Sequence, residues 1–274
     1  MRFPLSALVL SALVAGPATA DPRVVATLQP VALIAEALTG EKPAVPADGG
    51  SGHEHGGSLR PSDARALADA DLVLWVGPAL EPGVAAALPD GADALALDSV
   101  GGLARRDGPG GPPDAHIWLD PANALAMARA AAAPLAALDP PVVAPDEIAA
   151  NLESLGASLA ATTERVAARM APLVDRPYAV EHDAFRHFTR AFGLAEPLAL
   201  GAALGARSLR TARERVATLG ITCLVVEPGE PSRLAAALGD DVRAVVIDPL
   251  GRDATDPADL IERVAAGFEE CLGG

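Results

Sequence analysis

Hydrophobic and polar residues fall in blocks that predict strands followed by helices. An apolar stretch at 24–28 reads as a strand, and 31–38 as the helix after it, with Gly40 as its stop. The unbroken run Leu72-Val-Leu-Trp-Val76 lies between Asp71 and Gly77, as expected for a strand covered on both faces. Ala94 to Leu97 is another short strand between Asp93 and Asp98. A helix opens after Arg60-Pro-Ser-Asp63, with Ser62 or Asp63 as its cap, and another runs over 123–133 until Pro134 kinks or ends it. Strand-then-helix repetition of this kind predicts a parallel α/β sheet.

The strongest helical pattern covers 145–170. Pro145 suits the first turn, and Asp146 and Glu147 favour its positive end. Ile148, Leu152, Leu155, Leu159, Val166 and Met170 recur at helical spacing, interrupted at Thr162 and Thr163, and Pro172 stops the run. Such a helix is about 39 Å long, a length suited to a rod between two lobes. The α/β pattern then resumes. Strands are predicted at 178–180, 222–226 and 244–247, a helix at 184–192, and a closing helix at 257–268 capped by Asp256. The predicted organisation is a leader over 1–20, one α/β lobe over 21–143, a linking helix over 144–171 and a second α/β lobe over 172–274.

The leader has the layout of a secretory signal. Arg2 is followed by a short apolar run and the small-residue site Ala18-Thr-Ala20. The run is too short to span a bilayer, which needs about 20 apolar residues. Export agrees with an even cysteine count: Cys223 and Cys271 form one disulfide or are two buried thiols. Half the 274 residues are hydrophobic but only 3% are aromatic, and the net charge is −15. That acidity argues against nucleic acid and anionic membrane surfaces as partners.

The chemistry lies in five histidines: His53, His55, His116, His182 and His187. A histidine in a loop is ordinarily just solvated. Here, however, His55 and His116 lie in or beside glycine-rich loops, and His182 follows a strand end, where open α/β sheets bind ligands. Asp248 follows another strand and Glu227 a third. Neutral imidazole is the commonest metal ligand, and zinc takes four N, O or S donors in a tetrahedron. His55, His116, His182 and Asp248 would supply four if the lobes bring them together. His187, five residues beyond His182 on a helix, is expected to point elsewhere, into the surface or lobe packing. His53 is an accessory at most, and Glu227 with Glu230 reads as a turn around Pro228 and Gly229. No H-E-x-x-H, G-x-S-x-G, phosphate loop or dinucleotide fingerprint occurs, so an enzyme is not expected.

Five segments then carry a resemblance: His55-Gly-Gly-Ser-Leu-Arg-Pro-Ser-Asp63, Ala70-Asp-Leu-Val-Leu-Trp-Val-Gly-Pro78, His116-Ile-Trp-Leu-Asp-Pro121, His182-Asp-Ala-Phe185 with Phe192-Gly-Leu194, and Asp248-Pro-Leu-Gly251. Their order resembles that of the ZnuA-like solute-binding proteins of zinc-uptake ABC transporters. The resemblance implies two α/β lobes with parallel sheets, joined by one long rigid helix, with the metal in the cleft. It implies a periplasmic monomer that carries Zn2+ as cargo to a membrane permease and its ATPase. It makes His55, His116 and His182 ligands, with Asp248, water or a glutamate in the fourth place. It also pairs Cys223 with Cys271. The manganese branch has a glutamate where His182 stands, and an imidazole there favours zinc over manganese or iron. The chain departs from many relatives at 105–113, where a His- and Asp-rich loop is replaced by a Gly- and Pro-rich one without histidine. The competing readings are a manganese or iron carrier, an exported zinc hydrolase and an adhesion protein with incidental metal.

Overall fold

The computed structural model describes residues 23–46, 59–105, 114–201, 205–229 and 233–273. The leader, His53, His55, Glu230 and residues 106–113 lie outside these. Strands β1 (Val24–Ala26), β2 (Leu72–Trp75) and β3 (Ala94–Ala96) form a parallel sheet in that order. Helices α1 (Gln29–Thr39), α2 (Pro61–Ala68), α3 (Pro82–Ala87) and α4 (Pro121–Ala136) complete the first lobe. Helix α5 (Pro145–Met170) follows. The second lobe runs β4 (Ala179–Val180), α6 (Arg186–Ala191), β5 (Leu198–Ala199), α7 (Ala206–Leu219), β6 (Cys223–Val226), α8 (Arg233–Leu238), β7 (Arg243–Val246) and α9 (Pro257–Gly273). Its parallel sheet has the order β5-β4-β6-β7. The expected α/β class with two parallel sheets is therefore what the chain forms.

Helix α5 has the bounds that its apolar stripe and Pro145 predict. Thr162 does not interrupt the stripe: it is fully buried, and its hydroxyl accepts a hydrogen bond from Arg165 Nη2 at 2.7 Å. The N-terminal half packs on α1 and α4, with Asn151 Nδ2 donating to Leu38 O at 2.9 Å. The C-terminal half packs on α9, where Arg165 and Arg169 pair with Glu262 and Arg169 also with Glu269. One apolar cluster therefore runs from Leu33 and Leu74 of the first lobe through Leu159 to Phe268 of the second.

Several boundaries differ from those the sequence predicts. Helix α2 starts two or three residues earlier than Ser62 or Asp63 as cap would give. Pro61 takes the first helical position, and Asp63 instead accepts from Arg60 N at 3.0 Å. Helix α4 begins at Pro121, capped by Asp120, which accepts from Ala122 N at 2.9 Å. Pro134 lies inside this helix two residues before its end, where it neither stops nor shortens the predicted run. The pattern did not disclose α3, β5, α7 or α8; β5 is only two residues long, and α7 is predominantly polar.

Five of the few aromatic residues gather in the second lobe. Tyr178, Phe185 and Phe188 surround Phe268 of α9 with ring centroids 5.5, 5.7 and 5.2 Å away, and Phe192 packs at a tilt behind Phe188 at 4.7 Å. This cluster fixes α6 and the loop before it. Cys223 of β6 and Cys271 of α9 are disulfide-bonded, their Cα atoms 5.6 Å apart.

Close packing of α9 on the sheet depends on Gly267. A Cβ there would lie 2.6 Å from Ile247 Cγ1 and 2.8 Å from its Cδ1. Gly267→Ala gains about 1 kcal/mol in helix propensity but overpacks a contact that costs roughly 1–3 kcal/mol. The expected outcome is a lower midpoint in thermal or urea unfolding; a raised midpoint would contradict this packing.

Candidate functional site

In the second sheet the chain moves from β4 out to β5, then returns to place β6 on the other side of β4. The crevice between β4 and β6 is thus a topological switch point, where the carboxyl ends of parallel strands splay apart and ligands bind. Register does the rest. Val180 lies opposite Val225, and Glu181 N donates to Val225 O at 3.0 Å. Two residues further on, His182 lies opposite Glu227, and His182 Nδ1 donates to Glu227 Oε1 at 2.6 Å.

His116 reaches the same place from the first lobe. It precedes a 3-10 turn over Ile117–Leu119 that leads into α4. Asp114 Oδ1 accepts from both His116 N at 3.0 Å and His116 Nδ1 at 2.7 Å, so backbone and ring are held by one oxygen. The neighbouring motif positions have separate tasks. Ile117 and Leu119 are buried, Trp118 Nε1 crosses to donate to Pro249 O at 2.7 Å, and Asp120 caps α4. Burial pushes the Asp114 carboxyl up, but its hydrogen bonds and charge interaction with His116 outweigh this and hold it below the usual carboxylate range.

The His116 and His182 rings lie with centroids 5.2 Å apart and planes at 72°. Packed rings adopt such contacts without any ligand. The carboxylate at each Nδ1 gives this pair a different character, because it sets the tautomer that makes Nε2 the electron-pair donor and raises its basicity. With zinc–nitrogen bonds of about 2.0–2.1 Å and tetrahedral angles, two imidazoles on one ion have centroids roughly 5.2 Å apart. The His116 side chain is 2% exposed and that of His182 37%, so one imidazole forms the floor and the other faces the entrance.

Asp248 lies beside Pro249, the residue that receives Trp118. Its Oδ1 accepts from Leu250 N at 3.0 Å and Arg252 Nη1 at 2.8 Å, and its Oδ2 from Arg252 N at 2.8 Å. The carboxylate therefore braces its own loop, which turns at Gly251 with φ of 61°. Among the described residues no group of three or more His, Cys, Asp or Glu side chains is arranged to hold a metal; His55 lies outside them. His187, expected at the surface or in lobe packing, is fully buried at the lobe boundary and hydrogen-bonded there. Asp114 and Glu227 are the parts that sequence reading missed as partners of the imidazoles. Asp114 had a local signal, standing two residues before His116, and Glu227 had one in following a strand.

The fold and this seam define a two-lobed binding protein. A family model described as zinc-uptake complex component A, periplasmic (ZnuA), matches residues 24–270, and the chain belongs to that family. The high-affinity zinc uptake system protein ZnuA of Paracoccus denitrificans is 32% identical, with 98% of each chain covered. That of Brucella abortus (strain 2308) is 30% identical, covering 81% of this chain and 83% of its own. Among solved structures, a crystal structure of ZnuA superposes with a TM-score of 0.77 at 21% identity, over 93% of this chain and 99% of the other. The periplasmic zinc binding protein TroA of Treponema pallidum gives 0.77 at 19%, over 92% and 99%.

Carboxylates behind ligating imidazoles typically contribute 10- to 100-fold in metal affinity. Asp114→Asn and Glu227→Gln are each expected to weaken zinc binding by about that factor with the unfolding midpoint little changed. Isothermal titration with zinc measures it, and wild-type affinity in both variants would remove the role given to these carboxylates.

Proposed function

We propose that this chain captures zinc in the seam between its lobes and delivers it to a membrane permease driven by an ATPase. The observation that carries the reading is the His116–His182 pair: imidazoles from opposite lobes at the spacing of two ligands on one tetrahedral ion, each braced by a carboxylate. Membership of the zinc-uptake family supports the same cargo. Zinc is the substrate here and is neither altered nor consumed.

His55, His116 and His182 are the proposed ligands, and Asp248 the fourth. An ionised carboxylate offers about four lone-pair sites, and three donors of its own loop use three of those at Asp248. A shell rich in imidazole favours zinc over manganese, whose harder ion suits carboxylates. A shell closed by protein donors also separates a carrier from a hydrolase, which keeps a position open for water.

Export through the leader over 1–20 and action as a periplasmic monomer complete the proposal. Among the described residues no helix is long and apolar enough to cross a membrane. The proposed division of labour is a first lobe over 21–143, the linking helix over 144–171 and a second lobe over 172–274.

His55→Ala, His116→Ala and His182→Ala are each expected to lower zinc affinity by orders of magnitude while the fold survives. Calorimetric titration with zinc, alone and in competition with manganese, checks both the ligands and the selectivity. Unchanged affinity in the His116 and His182 variants, or preference for manganese, would refute the reading. Asp248→Asn is expected to cost less zinc affinity than any imidazole variant but to loosen its loop, since the amide NH2 would face Leu250 N–H or Arg252 N–H where the carboxylate accepts from both.

A further inference from the structure

His187 has no part in the ligand set, yet it is completely buried where the lobes meet. It belongs to α6, in the segment that carries His182. Its partners belong to the first lobe. His187 Nε2 lies 3.0 Å from the main-chain oxygen of Asp114, and His187 Nδ1 lies 3.3 Å from Asn123 Nδ2. Asn123 is equally buried. Its amide also clasps Ala104 from both sides, Oδ1 accepting from Ala104 N at 2.7 Å and Nδ2 donating to Ala104 O at 3.2 Å.

The polarity of this chain of bonds has one consistent solution. The Ala104 N–H can only donate, which assigns Oδ1 of Asn123 and so makes its other atom the amide nitrogen. That nitrogen donates to His187 Nδ1, which must then lack a proton. The single ring proton of a neutral His187 is on Nε2, where it donates to Asp114 O. A buried network with its members mutually satisfied fixes geometry more than it adds stability.

We infer that His187 is a positioning residue that sets the separation of the two imidazoles across the lobe boundary. The inference rests on the zinc reading above. By holding Asp114 O, His187 fixes the backbone of Asp114. The carboxylate of that residue holds both the backbone and the ring of His116. His182 stands five residues before His187 on the same segment, which the Phe185 and Phe188 contacts with Phe268 keep rigid. The strut thus joins the part of the second lobe that presents one imidazole to the part of the first that presents the other. Asn123 sets the tautomer that allows it, and joins Ala104 to the same network.

The test begins with the full-length wild-type apoprotein. Long-range ¹H–¹⁵N spectra of the imidazoles should show His187 neutral and protonated at Nε2, and His116 protonated at Nδ1. A His187 protonated at Nδ1, or averaging between tautomers, would overturn the strut without any variant being made. His187→Phe keeps a buried ring but no donor. It should weaken zinc binding by about 10- to 100-fold and shift the His116 ring-nitrogen signals. His187→Gln, whose amide can donate to Asp114 O, should recover most of both. Asn123→Ala, which leaves His187 in place, should also disturb the His187 tautomer and covers the case in which His187→Phe fails to fold. A folded His187→Phe with wild-type zinc affinity and an unchanged His116 spectrum would overturn the proposal. His116→Ala, titrated alongside, separates the two ideas. If it binds zinc normally, both fall; if it loses zinc while His187→Phe does not, only the strut falls.

Discussion

Two imidazoles from different lobes can hold one ion only if the lobes cannot drift, and here the restraint is an apolar cluster that does not stop at the lobe boundary. It passes along α5, whose first half lies on α1 and α4 and whose second half lies on α9. Burial on this scale, at about 25 cal/mol per Å² of apolar surface, makes the rod part of both cores instead of a tether between them. The arginine–glutamate pairs between α5 and α9 are partly exposed and add to this a smaller, salt-screened term.

On that frame the site is assembled by short-range rules. Parallel register places His182 opposite Glu227, and a loop turn places His116 on Asp114. Trp118 and His187 then cross the boundary in opposite directions, one from the first lobe to Pro249 and the other from the second to Asp114. The aromatic cluster around Phe268 lies under the His182 loop. A chain poor in aromatic residues has spent most of them where a ligand must not move. The Gly77–Glu81 turn in the first lobe is also held by a buried carboxylate. Glu81 accepts from Val76 N at 2.7 Å, and burial pushes its carboxyl above the usual range against that and other hydrogen bonds.

Much of the architecture was legible along the chain. The run of apolar residues over 72–76 gave β2, and the stripe with its opening proline gave α5 at its observed ends, because both signals are local and strong. Boundaries set by hydrogen bonds to neighbours were less legible. Helix α4 continues past Pro134 through the packing of its buried face, including Ala131 and Leu135. Thr162 reads as a break in the stripe, yet it is buried with its hydroxyl satisfied by Arg165.

The sequence by itself determined the α/β class, the rod, the cysteines able to pair and the histidines that are candidate metal ligands. These follow from periodicity, from strand ends and from side-chain chemistry, which are properties of short segments. Tertiary structure decided that Glu227 stands behind His182 and that, of surface and lobe packing, His187 takes the packing between the lobes, whereas Asp114 behind His116 and Asp248 in its own loop are local contacts. The first two of these join residues distant along the chain. No local pattern encodes such a contact, because it exists only once two lobes have buried a common core.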